Sequence, residues 1–88
     1  MSTRDLITFY RARLDEEEAQ IRDAIASWEA HVGGDDLAEL AARRAVLDAY
    51  EQAAEEEDER APGLRAAVQH LATYHQEHGD YREEYRPT

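Results

Sequence analysis

Three histidines near the end of the chain, His70, His75 and His78, stand among acidic side chains. A histidine beside carboxylates is the raw material of a metal site or of general acid-base catalysis. The spacing argues against the metal. Helical metal pairs use histidines four apart or a Glu-x-x-His repeat, whereas only His75 and His78, three apart, share a helix face, and neither HExxH nor ExxH occurs in the chain. There is no cysteine, which excludes thiolate ligands, disulfides and a cysteine nucleophile. No glycine-rich phosphate loop or G-x-S-x-G elbow is present, and the only serines, Ser2 and Ser27, have no base beside them. The three histidines therefore read as half-buried or solvated side chains, and His31, beside the turn glycines, as a partner for helix C-terminal carbonyls. The chain is expected to be no enzyme and to need no metal or cofactor.

The charge narrows the class further. With 21 acidic and 10 basic residues the formal net charge is -11, so a duplex or a single strand of nucleic acid would be repelled rather than gripped. All ten basic residues are arginine, a bias that reads as a GC-rich coding sequence. No stretch reaches the roughly 20 apolar residues that span a bilayer, and MSTRDLITFYRARL has no signal-peptide core, so a soluble, cytoplasmic protein is expected.

Side chains are positioned by elements, and here every signal is helical. Ile7, Tyr10, Leu14, Ile21, Ala24, Ile25, Trp28 and Val32 recur at steps of three, four and seven, predicting one long helix over about 3–32 that stops at Gly33 and Gly34. Glu17 interrupts its apolar stripe. Asp36 and Glu39 have capping-box spacing at the start of a second helix, about 36–59, with Leu37, Leu40, Ala41, Leu47, Tyr50 and Ala54 on its apolar side. Pro62 is read as its stop. A third helix over about 63–78 carries Leu64, Ala67, Val68, Leu71 and His75. The result is a single all-α domain over 1–88, a long antiparallel helical hairpin plus a shorter third helix and a short C-terminal helical turn. A hairpin turning about Gly34 sets Glu55 to Glu57 opposite Arg11 and Arg13.

The ending HGDYREEYRPT repeats the capping-box spacing at Asp80 and Glu83, which predicts a helical turn over 81–85 with Tyr81 and Tyr85 on one side. Two such tyrosines either cover the core or anchor a partner. LITFYRARLDEEE, PGLRAAVQHLATY and HGDYREEYRP together resemble a family of short actinobacterial and actinophage proteins known only as a domain of unknown function, with an RARLDE-type start and a DYREEW-RP type ending. This chain has Tyr85 where tryptophan is usual and Gly79 where proline is usual. The resemblance implies a source and no catalytic residues.

Function then reduces to interaction. The third helix, about half as long as the first, covers only part of a hairpin about 45 Å long. Ile25, Trp28, Leu40 and Leu47, toward the uncovered end, are expected to meet a second copy in a homodimer, with Tyr81 and Tyr85 as further candidate contacts. The expected class is a small acidic protein-interaction protein whose partner is a protein. The alternative is an acidic inhibitor that imitates nucleic-acid phosphate and occupies a basic groove.

Overall fold

The computed structural model describes residues 3–27 and 34–87. Three helices, α1 (Thr3–Ala26), α2 (Gly34–Glu55) and α3 (Ala61–Ala72), are followed by single 3-10 turns at Thr73–His75 and Glu83–Tyr85, with no strand among the described residues. α1 and α2 pack as an antiparallel hairpin, and α3 folds back along α2. The predicted extension of α1 through Trp28, His31 and Val32 to Gly33 lies outside the described residues.

The core gathers at one end of the hairpin. Leu6, Ile7, Phe9, Tyr10 and Leu14 of α1 meet Leu40, Leu47, Tyr50 and Ala53 of α2 and Val68 and Ala72 of α3. Beyond Leu14 no described residue of α1 is buried; Ile21 and Ala24 are half-buried and Ile25 is 41% exposed. The apolar stripe is therefore used over only its first half. The reason is length, since twelve residues of α3 extend about 18 Å. On α2, Ala41 lies on the outer face instead of the predicted apolar side, while Leu40 and Leu47 lie inside at 3% and 1% exposure.

Charge fixes how the two long helices meet. Arg4 and Arg11 near the start of α1 reach Asp48, Glu51 and Glu55 near the end of α2; Arg11 lies 3.0 Å from Asp48 and 3.1 Å from Glu51. Farther along, Asp15, Glu17 and Glu18 meet Arg43 and Arg44 at 2.8–3.3 Å. These pairs centre the hairpin about four residues earlier than Gly34. The predicted opposition of Glu55–Glu57 to Arg11 and Arg13 is thereby replaced: Glu55 pairs with Arg4. Asp36 falls inside the first turn of α2 rather than ahead of it, and Glu39 pairs with Arg43 one turn on. Hydrogen bonds from Arg11 and Arg4 hold the Glu51 carboxyl below its usual range.

α2 ends at Glu55, four residues before the predicted limit. Its final carbonyls are met by the amides of Glu57, donating to the Ala54 oxygen at 3.3 Å, and Asp58, donating to the Ala53 oxygen at 2.9 Å. That is a Schellman motif, and it requires a left-handed residue at Glu57, whose φ is 53°. The Asp58 carboxylate then accepts from the Arg60 amide at 2.8 Å, turning the chain into α3. Pro62 belongs to the first turn of α3, where its missing N–H costs nothing, so it opens a helix rather than closing one. α3 tightens into the 3-10 turn after Ala72, short of the predicted 78, and beyond it His75 meets Glu17 while His78 meets Arg13.

The tail straps this end shut. Tyr81 precedes an extended Arg82, and only Glu83–Tyr85 coils, with no side-chain cap, so the predicted Asp80/Glu83 capping box does not form. Both rings nonetheless pack on Phe9, at centroid distances of 5.6 Å for Tyr81 and 5.3 Å for Tyr85. The Tyr85 hydroxyl donates to the Asp5 carbonyl, and Gln69 donates to the Arg86 carbonyl, tying the tail to α1 and α3 at once.

A non-glycine residue in the left-handed region costs about 1 kcal/mol. Glu57→Gly is therefore expected to stabilise the protein by up to about 1 kcal/mol, read as a higher urea midpoint with an unchanged slope. A lower midpoint would contradict the cap.

Candidate functional site

Three places bring polar or apolar groups together in a way that could serve function. The first is built around Glu17, the residue that breaks the apolar stripe of α1. Its carboxylate lies 3.1 Å from Arg43 of α2 and 3.3 Å from His75 Nε2, so one side chain joins all three layers. Tyr10, fully buried, stacks obliquely on His75 at 6.1 Å. Burial pushes the Tyr10 phenol up to about 12, so it stays protonated and donates no nucleophile at neutral pH. Burial also lowers the His75 pKa, against the pull of Glu17 and with the help of Arg13, Arg43 and His78. A histidine paired with a carboxylate becomes a catalytic base when a hydroxyl or thiol stands next to it. The hydroxyl of neighbouring Thr73 is spent on the His70 carbonyl at 2.6 Å. The arrangement ties α1 to α2 and to the turn after α3, and among the described residues no three His, Asp or Glu side chains converge to hold a metal ion.

The second place is the seam under the tail, a cleft of about 470 Å³ bounded by Asp5, Phe9, Arg13, Asp80, Tyr81 and Arg82. Arg13 is 7% exposed, the most buried charge of α1. Its guanidinium sits 5.0 Å over the Phe9 ring, 3.1 Å from Glu16 and 2.7 Å from His78 Nδ1. Two buried atoms here, Arg13 Nε and Tyr81 Oη, lack hydrogen-bond partners. Both atoms are buried, although their residues line the cleft. The cation-π contact with Phe9 offsets part of the burial of Arg13.

The third is a groove between α2 and α3, about 550 Å³, lined by Val46, Ala67, His70, Leu71, Thr73 and Tyr74. Tyr74 is 80% exposed. Beside the groove the outer face of α2 presents Ala38, Ala42, Ala45 and Ala49, all exposed, at helical spacing that places them on one side. A chain that is 35% charged thus has one uncharged flank.

Of the residues singled out from the sequence, Leu40, Leu47 and Tyr85 are buried within the chain and unavailable to a partner, and Tyr81 is half-buried against Phe9. Ile25 is exposed and Trp28 lies outside the described residues. The self-associating surface expected of Leu40 and Leu47 is corrected accordingly: the charge-set register turns both inward, and Leu40 closes beside Ile21. The groove at Tyr74 and Val46 was not anticipated. Its signal was available in the uncharged alanine spacing of α2, which composition alone presents as generic helix.

Fold and site together define a small all-helical protein whose short third helix and aromatic tail close one end of a charge-zipped hairpin. The chain matches the Family of unknown function (DUF6221) over residues 3–87 and belongs to that family. The match spans the hairpin, the third helix and the tail. No curated protein and no solved structure matches the chain.

The neutral His75 ring makes stability pH-dependent. Its folded pKa lies below the ordinary 6.5, so on acidification the unfolded chain takes up a proton first. The stability this ring contributes is complete above pH 6.5 and is lost as the pH falls below it. Melting temperature should therefore decline between about pH 7 and 5.5 in the parent, with a flatter profile in His75→Gln. Equal slopes in both proteins would remove His75 as the cause.

Proposed function

We propose that the chain is a small acidic, non-enzymatic protein-interaction protein, cytoplasmic, from an actinobacterium or its phage. The observation that carries this reading is the α2–α3 groove, where Val46, Ala67 and Leu71 line an apolar floor and Tyr74 stands over it, exposed. Tyrosine and contiguous apolar surface are enriched at binding sites, and an isolated small domain has little reason to leave a large ring in water beside a floor that could hold it. The source rests on the terminal motifs and on a basic complement made only of arginine.

The competing view, an acidic imitation of nucleic acid, has less support. All four residues of the run Asp15–Glu18 pair with arginines, and in the run Glu55–Glu59 so do Glu55 and Asp58, which interrupts any free phosphate-like row.

The protein expressed in its native host should retain a specific partner on affinity capture, and Tyr74→Ser should lose it without a change in melting temperature, because the ring makes few contacts of its own. Retention of the same partner by Tyr74→Ser would set the groove aside.

A further inference from the structure

Two hydrogen-bonding groups are left over inside one cleft, and together they define what it lacks. The cleft between α1 and the tail, at about 470 Å³, has the size of a small-molecule site. Arg13 is 7% exposed there. Its acidic partners, Glu16 at 3.1 Å and Asp80 at 4.0 Å, meet only the terminal nitrogens and are themselves more than half exposed. The Nε–H has no acceptor among the described residues, and the hydroxyl of Tyr81 has no partner either.

Packing explains neither group. A phenylalanine at position 81 would make the same ring contacts, 5.6 Å to Phe9 and 5.8 Å to Tyr85, without burying a hydroxyl that bonds nothing. Buried polar groups are nearly always paired and each orphan costs stability, so two of them on the walls of one cleft point to a partner that comes from outside the chain. That partner must be an acceptor, because a guanidinium only donates. Burial raises the Tyr81 pKa, so the phenol keeps its proton and donates as well. An oxygen that takes hydrogen bonds from a buried cation and a phenol is best supplied by an anion. The acids at the mouth do not oppose this, since Asp5 is already met by Arg82 at 3.6 Å and Asp80 points largely to solvent. Phe9 and Tyr85 add an aromatic wall.

We propose that this cleft binds a small organic carboxylate, whose oxygens accept from Arg13 Nε and the Tyr81 hydroxyl and whose apolar body lies against Phe9 and Tyr85. Both donors are buried while the seam is closed, so the ligand enters as the Tyr81 ring turns outward. That ring is held by its contacts with Phe9, Tyr85 and Arg86 and by no side-chain hydrogen bond. Open space adjoins it at Gly79, where a Cβ would meet no heavy atom within 4 Å. The cleft shares no lining residue with the α2–α3 groove, so this site goes beyond the protein-interaction reading and does not depend on it.

The test uses the full chain and three probes with one ring and a negative, neutral or positive head: benzoate, benzamide and benzylammonium. Each is titrated at a constant ionic strength of about 0.15 M, and NMR of the arginine Nε–H groups reads binding at the donor itself. Benzoate should shift the Arg13 signal saturably in the low-millimolar range, about fivefold or more tighter than benzamide, and benzylammonium should leave it unmoved. Tyr81→Phe should weaken benzoate about fivefold while leaving the melting temperature equal or higher, a combination that misfolding cannot produce. Equal affinity for benzamide would overturn the anionic ligand. Tightest binding of benzylammonium would hand the cleft to Asp5 and Asp80 and overturn it too. Undiminished benzoate binding by Tyr81→Phe would overturn the assigned contacts. If no probe moves the Arg13 signal, solvent alone satisfies the two donors, and the proposal falls while the reading of the α2–α3 groove stands.

Discussion

A twelve-residue α3 cannot cover a hairpin made of helices of 24 and 22 residues, and most of the structure follows from that mismatch. Burial on α1 stops at Leu14 because nothing of α3 extends beyond it. The remaining turns of α1 and the first two turns of α2 form a two-helix arm, where Ile21 packs beside Leu40 and Ala24 and Leu37 are half-buried. At the covered end three helices still leave the side of Phe9 open. The tail closes it, with Tyr81 and Tyr85 packing on that ring and on each other at 5.8 Å. In a domain of this size such a strap is a substantial part of the core rather than an ornament to it.

The two-helix arm needs a reason to hold its alignment, and charge supplies it. α1 is basic then acidic along the face toward α2, and α2 is basic then acidic along the face toward α1. Antiparallel packing sets unlike charges together from Arg4 to Glu18 of α1 and from Arg43 to Glu55 of α2; parallel packing would set like against like. Exposed ion pairs each add little stability. Their value here is in specifying direction and register, at low cost to a surface that solvent already wets.

The helices were legible in the sequence because each spends part of its length with a 3.6-residue apolar period, and the tail tyrosines were legible as a pair able to cover the core. The ends were not. Glu57 adopts a conformation that its residue type disfavours, so nothing at that position announces a helix stop, and Pro62 is equally at home after a helix or in the first turn of one. The register failed for the same reason: a turn assigned to Gly34 displaced every cross-helix pair, although the charge pattern itself was in plain view. Burial of Leu40 and exposure of Tyr74 depend on where α3 stops, and that is a tertiary fact. Arg13 was read as a cross-hairpin partner of Glu55–Glu57, since an arginine between Ala12 and Leu14 reads as surface until His78 and Phe9 are folded over it.

The central claim is that stability is concentrated at the end closed by α3 and the tail, with the hairpin's far arm held only by the last pairs of the charge zipper and the packing of Ile21 beside Leu40. Native-state hydrogen exchange tests it residue by residue. Amides in the first half of α1 up to Leu14, around Leu47–Ala53 and in Leu64–Ala72 should exchange only by global unfolding. Those of 20–26 and 35–39 should exchange by local opening at much lower free energy, and faster still at high salt. Uniform protection along α1 from Leu6 to Ala26, insensitive to salt, would contradict the account.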